Sequence, residues 1–220
     1  MQPAIALQKR LRESGAPYGA NDNISEQLLP GDLASVEELL SVQMRTMLET
    51  LGIDVEHDHN SADTPRRFAK MLVREIFAGR YEPQPAITDF PNARDLDEIY
   101  TVGPVTIRST CSHHWQPIQG EAWIGVLPGK RVIGLSKFSR LTRWVMSRPQ
   151  IQEEATIQLA DLLESLIEPK GLAVIVKAQH LCMTQRGVCE HDTQMTTSVM
   201  RGVFREKPEA RAEVLKLIEG

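Results

Sequence analysis

The sequence predicts an α+β fold in which an antiparallel sheet carries its helices on one face, preceded by an N-terminal helical region. Three observations carry that expectation. The 220 residues are 41% hydrophobic and 25% charged, which suits one globular unit with a buried core. Beyond residue 98 the hydrophobic period runs from two to helical and back to two, in the order β-β-α-α-β-β. A hairpin, a helix pair and a second hairpin close most simply as an antiparallel sheet with helices packed on one side.

Residues 1–32 form the first segment, a short helix over roughly 3–14 followed by a Gly/Asn-rich run (GAPYGANDN) that reads as a linker or arm. A helical region spans 33–98. In it Leu33, Val36, Leu39, Leu40, Met44, Met47 and Leu51 recur near helical spacing until Gly52 stops the helix. After a polar stretch, Thr64 and Pro65 open a second helix that runs to Gly79. Arg67, Lys70 and Arg74 line one side of it, which by itself reads as a solvated face.

A third region, 99–220, holds the sheet. Strands are expected over 99–110, with Val105, Ile107, Ser109 and Cys111 on one face, and over 121–127. Helices follow at about 136–147 and 149–168, the second opened by Ser147 and Gln150 in capping-box spacing with Pro149 in its first turn. Strands at 172–182 and 193–204 and a closing helix at 209–218 complete the chain.

Composition excludes several function classes. The start lacks an apolar signal region, and the longest apolar runs, such as 172–176, are too short to span a bilayer, so a cytoplasmic location without membrane contact is expected. A net charge of −4 argues against a nucleic-acid binder and leaves room only for a local basic pocket. Three cysteines cannot form a paired disulfide framework and read as buried residues, metal ligands or nucleophiles.

Cys111 and His114 stand three apart, the short chelating spacing of zinc sites, and Cys182 at a distant strand end offers a third ligand. Period two puts His180 and Cys182 on the face of Val174 and Val176. Three ligands leave a fourth position for water, as in catalytic zinc. A closed structural site recruiting Cys189, or three buried thiols, fits the same spacing. His113 and His180 flank the ligands and could serve as acid or base, or as satisfied buried histidines. His57, His59 and His191 lie in polar segments and read as solvated.

These residues resemble the GTP cyclohydrolase I family. The resemblance is carried by 64–79 (TPRRFAKMLVREIFAG), 109–120 (STCSHHWQPIQG), 132–141 (VIGLSKFSRL), 148–156 (RPQIQEEAT), 180–188 (HLCMTQRGV) and 196–204 (TTSVMRGVF), in the order the family has them. It implies the tunnelling fold, a β-β-α-α-β-β unit, and zinc (Zn2+) held by Cys111, His114 and Cys182. The reaction it implies begins with attack of water at purine C8, releases formate, then rearranges the sugar carbons and closes a dihydropyrazine ring. His113 matches the catalytic histidine, His180 a second histidine near the reacting ring, and Ser136, next to Leu135, a residue near the ribose.

Glu153, with Gln152 beside it, matches the guanine-binding carboxylate, whose two oxygens accept the parallel N1–H and N2–H donors that adenine lacks. Without the resemblance Glu153 would read as a glutamate placed for the helix dipole. Lys137, Arg140 and Arg186 fall at phosphate-binding positions, and Arg67 and Lys70 match basic residues that a neighbouring subunit supplies. The family assembles as toroids of ten subunits with active sites between them, so a homo-oligomer with GTP as substrate is implied. Ser112 departs from the pattern, which has glutamate there, and removes a negative charge beside the ligands. Cys189-Glu190-His191-Asp192 also departs and reads as a variable hairpin turn.

Three other readings use the same residues. A divergent paralogue would open the GTP imidazole ring and stop early. A 7-cyano-7-deazaguanine reductase shares the fold but uses a cysteine nucleophile without zinc, against which the Cys-x-x-His and distant Cys argue. A non-catalytic assembly protein would not need every presumed catalytic side chain.

Overall fold

In the computed structural model the backbone is described for residues 3–219 and the side chains for 5–219. The chain divides into two compact units, Met1–Pro83 and Gln84–Gly220. No helix among the described residues is long and apolar enough to cross a membrane.

The first unit holds α1 (Pro3–Ser14), a 3-10 turn (Ser25–Gln27), α2 (Asp32–Thr50), α3 (Thr64–Met71) and α4 (Ala78–Tyr81). Leu7 and Leu11, one helical turn apart on α1, bury with Ile24 against Leu28, Val36 and Tyr81. Arg10 pairs with Asp32 in the first turn of α2, where a carboxylate also meets the positive end of the helix dipole. The Gly/Asn-rich run after α1 is held from α4, because the Arg80 guanidinium donates to the carbonyls of Tyr18, Gly19, Ala20 and Asp22.

The helix expected to run unbroken from Thr64 to Gly79 does not. Leu72–Ile76 forms a π-helical turn in which the Phe77 N–H donates to the Leu72 carbonyl at 2.9 Å. The extra residue in that turn rotates the downstream side chains by about 100° around the axis. Arg74, inside the turn, pairs with Glu37 of α2, while Arg67 pairs with Asp63 at the start of α3.

Asp63, just before α3, accepts from Arg66 Nε at 2.8 Å, Arg66 Nη2 at 2.7 Å and Arg67 Nε at 2.8 Å. The bonds from Arg66 and then Arg67 hold its carboxyl down to about 2, below its ordinary 3.8. A lowered carboxyl pKa means that folding favours the ionised form, so this contribution is complete above the ordinary range and fades as pH falls toward 2. A carboxyl-carbon NMR titration should place the Asp63 midpoint near 2, and Arg66→Ala should raise it. A midpoint at the ordinary aspartate value in the unmodified chain would refute the pairing.

The second unit is built on β1 (Asp89–Pro91), β2 (Tyr100–Cys111), β3 (Pro117–Leu127), β4 (Arg131–Ile133), α5 (Leu135–Met146), β5 (Pro149–Gln150), α6 (Gln152–Ile167), β6 (Gly171–His180), α7 (Leu181–Thr184), β7 (Met195–Gly202), α8 (Val203–Glu206) and α9 (Pro208–Glu219). β1 and β4 pair by themselves, and the main sheet has the order β5-β2-β3-β6-β7. All its neighbours are antiparallel except β5, which lies parallel to β2. Val105, Ile107, Ala122, Ile124, Val174 and Val176 alternate toward Phe138, Leu141, Val145, Leu159 and Leu163, so α5 and α6 cover one face as expected.

The other face is not bare, contrary to the expectation of helices on one side. Ala173 buries there with Phe204 of α8 and Val214 of α9. The reason is a notch in β3: a Cβ added at Gly125 would stand 2.2 Å from Val214 Cγ2.

Two local expectations also change. Ser147 and Gln150 form no capping box, since Ser147 Oγ donates back to the Arg143 carbonyl at 2.8 Å and α6 starts after Ile151. Pro149 and Gln150 instead pair with Thr110 and Cys111, and Gln150 Nε2 donates to the carbonyls of Val145 at 2.9 Å and Met146 at 3.2 Å. At the end of β6 the period of two stops at His180, and Cys182 lies on the helical turn α7.

Gly120 faces Ala178 across β3 and β6, two residues before His180 on β6. A Cβ there would meet the Lys177 carbonyl oxygen at 2.1 Å and Ala178 Cα at 2.5 Å, both backbone atoms. Gly120→Ala is therefore expected to cost about 1–3 kcal/mol, seen as a lower Tm in a thermal scan. An unchanged Tm would refute that close approach.

Candidate active site

The turn between β2 and β3 positions two of the three chelating side chains. The Cys111 N–H donates to the Gln116 carbonyl and the Trp115 N–H to the Cys111 carbonyl, both at 2.9 Å. Trp115 takes φ 53°, a left-handed conformation that costs a residue with a Cβ roughly 1–2 kcal/mol and that these bonds hold in place. The Ser112 N–H donates to the Gln150 carbonyl at 3.2 Å, fastening the turn to β5. Because α7 starts directly after β6, Cys182 comes to the same point.

The ligand atoms of Cys111, His114 and Cys182 all lie within 4.8 Å of one another. Ligands around tetrahedral zinc stand roughly 3.5–3.8 Å apart, given bonds of about 2.3 Å to sulfur and 2.0 Å to nitrogen, so this set fits one ion with small adjustment. Cys111 is buried, Cys182 half-buried and His114 exposed, which leaves the imidazole side open. Cys189, the fourth ligand of a closed site, is outside the group; it is exposed and its thiol faces the Gly187 carbonyl at 3.7 Å.

Burial first, and then the neighbouring Cys111 thiol, push the Cys182 thiol up, while Arg186 opposes them. The Cys182 thiol thus keeps its proton more firmly, and coordination of a divalent cation is the event that removes it. His113 is exposed, its Nδ1 3.8 Å from Cys111 Sγ and its ring centroid 6.4 Å from that of His114. His180 is half-buried, and burial pushes its imidazole below the usual histidine range, with the Glu153 carboxylate opposing.

The remaining expected residues fall into three places. Glu153, exposed in the first turn of α6, acts electrostatically on His180, and Arg186, just past α7, on Cys182. Gln152, next to Glu153, turns inward instead: it is 2% exposed, and its side chain bonds to His180, Val176, Met195 and Thr197. Leu135, Ser136, Lys137 and Arg140 occupy the first two turns of α5, whose other end, through Gln150, meets Cys111. Phe138 packs edge-on against Tyr100 near the start of β2, and Ser136 stands roughly 15 Å along the helix from Met146. Arg67 and Lys70 lie exposed on α3 of the first unit.

Sequence reasoning passed over Gln150, Thr156 and Thr197, which frame this region. Gln150 bonds to Ser109, 41 residues away, and Thr156 to Thr197, also 41 residues away, so no local spacing marks them.

The chain matches the family model described as GTP cyclohydrolase I over residues 40–219. It is similar to a GTP cyclohydrolase 1 of Shewanella sp. (strain W3-18-1), 38% identical over 217 residues and covering 97% of each chain. It is also similar to a GTP cyclohydrolase 1 of Aeromonas salmonicida (strain A449), 40% identical over 185 residues and covering 84% of each. Among solved structures it aligns with the apo crystal structure of the archaeosine synthase QueF-Like at a TM-score of 0.37 and 13% identity, over 55% of this chain and 97% of that one. With a family model matched across both sides of the Cys111, His114 and Cys182 group, and relatives of 38–40% identity along most of its length, the chain belongs to the GTP cyclohydrolase I family.

Proposed function

We propose that this chain converts GTP and water into 7,8-dihydroneopterin triphosphate and formate, using zinc held by Cys111, His114 and Cys182. The single observation that carries the site assignment is the convergence of those three ligand atoms within 4.8 Å. Zinc in such a three-ligand set supplies Lewis-acid activation of water at neutral pH.

The chain's own residues do the rest. His113, exposed beside Cys111, would move a proton at the reacting ring, and His180, its imidazole pushed down by burial, would accept one. The Glu153 carboxylate selects guanine by accepting N1–H and N2–H together. Arg186 offers one cation for the triphosphate near the metal group, while Ser136 and Leu135 would meet the ribose and Lys137 and Arg140 the phosphates from the start of α5.

Leu135, Ser136 and Lys137 stand roughly 15 Å, and Arg140 about 9 Å, from the end of the helix that meets Cys111, which supports completion of each site by a second copy. The proposed assembly is a toroidal decamer of tunnelling-fold units, with Arg67 and Lys70 entering from a neighbour. The order β2-β3-α5-α6-β6-β7 supports that fold. The reading includes a cytoplasmic setting, where reduced thiols remain available as ligands.

The test incubates metal-loaded chain with GTP, with and without a strong chelator, and quantifies formate and oxidised pterin. Equal formate and pterin, both abolished by the chelator, is the expected result. Formate without pterin would indicate a paralogue that stops after ring opening, and neither product from folded, zinc-loaded protein would overturn the assignment.

A further inference from the structure

We propose that Gln152 is a positioning residue that fixes the His180 ring, with a hydrogen held on Nε2 by the Gln152 amide oxygen and Nδ1 left as the ring nitrogen that takes part in proton transfer. This rests on the reading of His180 as a participant in proton transfer.

The tautomer is dictated by a closed set of donors and acceptors. Gln152 Nε2 lies 3.1 Å from each of the Val176 carbonyl, the Met195 carbonyl and Thr197 Oγ1. Two of those three can only accept, so the amide cannot be turned over without setting carbonyl against carbonyl. Gln152 Oε1 is then fixed toward His180 Nε2, at 2.9 Å. A carbonyl oxygen has no hydrogen to give, so Nε2 must carry it.

The frame around the amide is equally constrained. Thr156 Oγ1, fully buried, donates to the Gln152 backbone carbonyl at 2.7 Å. Its hydrogen being used, it accepts from Thr197 Oγ1 at 2.8 Å, which leaves the Thr197 oxygen to accept from Gln152 Nε2. Each hydroxyl hydrogen thus has a single consistent direction, and the two amide hydrogens are shared among three acceptors. Val176 and Met195 sit on neighbouring strands β6 and β7, so the same amide ties the start of α6 to both. With both amide hydrogens engaged and the side chain 2% exposed, Gln152 reaches the reaction through His180, in place of the substrate contact expected from its position beside Glu153.

The test uses full-length, zinc-loaded protein with 15N-labelled histidine, read by two-bond proton–nitrogen correlation, with the His180 signals assigned by their loss in His180→Asn. In the unmodified chain His180 should show a protonated Nε2 and a bare Nδ1. Gln152→Leu should mix the tautomers and lower kcat on the order of 10- to 100-fold, with KM for GTP within about twofold and zinc content unchanged. Thr197→Val, which removes one of three acceptors, should shift both readouts the same way by less, and it carries the test if Gln152→Leu does not fold. A protonated Nδ1 in the unmodified chain, or variants that leave the tautomer unchanged, would overturn the proposal. So would a raised KM with kcat intact, which would make Gln152 a substrate contact. The NMR readout needs no turnover, so a chain that forms no pterin yet loses the Nε2–H tautomer on substitution would sink the assigned reaction alone.

Discussion

Cys182→Ala is expected to yield a chain that purifies without zinc and forms no pterin from GTP. Cys182 is one of three ligand atoms within 4.8 Å, and removing it leaves Cys111 and His114, a pair on one short turn. Loss of an outer hydrogen-bond partner already weakens metal sites about 10- to 100-fold, and loss of a ligand from a set of three should exceed that. The fold should survive, because Cys182 only packs against the margin of the core and α7 is a single turn after β6. Zinc per subunit by mass spectrometry, with circular dichroism as the control, checks the prediction. A folded Cys182→Ala chain that keeps stoichiometric zinc would show that the ligand set is assigned wrongly.

His113→Ala should give the opposite combination, full zinc with little turnover. His113 neighbours Cys111 at 3.8 Å but stands outside the three-atom group, and it is exposed, so nothing in the core depends on it. A proton-transfer group of this kind contributes typically about 10²–10⁴ in rate. Turnover should fall by that factor while zinc content, Tm and KM for GTP stay close to those of the unmodified chain. Zinc loss on substitution would make His113 a ligand, and unchanged kcat would remove it from the chemistry. Paired with Cys182→Ala, the experiment separates holding the metal from using it.

Much of this was legible because the signals are local. Cys111 and His114 lie on one turn, so their spacing alone suggests chelation, and strands β2 and β3 show their buried faces in a period of two. What stayed hidden depends on partners far along the chain. β5 is two residues long and has no period, so Ser147 and Gln150 look like a helix start until Thr110 and Cys111 are seen to pair there. The π-helical turn at Leu72–Ile76 leaves no mark on composition, so the helix looks unbroken to Gly79. Gln152 reads as a substrate contact beside Glu153; its burial is dictated by acceptors on β6 and β7. The coverage of the back face by α9 turns on a single missing methyl at Gly125.

The length of α5 has a genetic consequence. Its first turns stand roughly 15 Å along the helix from the end that meets Cys111, so in the proposed assembly the two halves of a site belong to different copies. A cell carrying two defective alleles, one damaged at Lys137 and the other at Cys182, would then regain a fraction of its activity. Wherever an intact α5 from one product faces an intact metal group from the other, a working site forms between two chains that are each inactive alone.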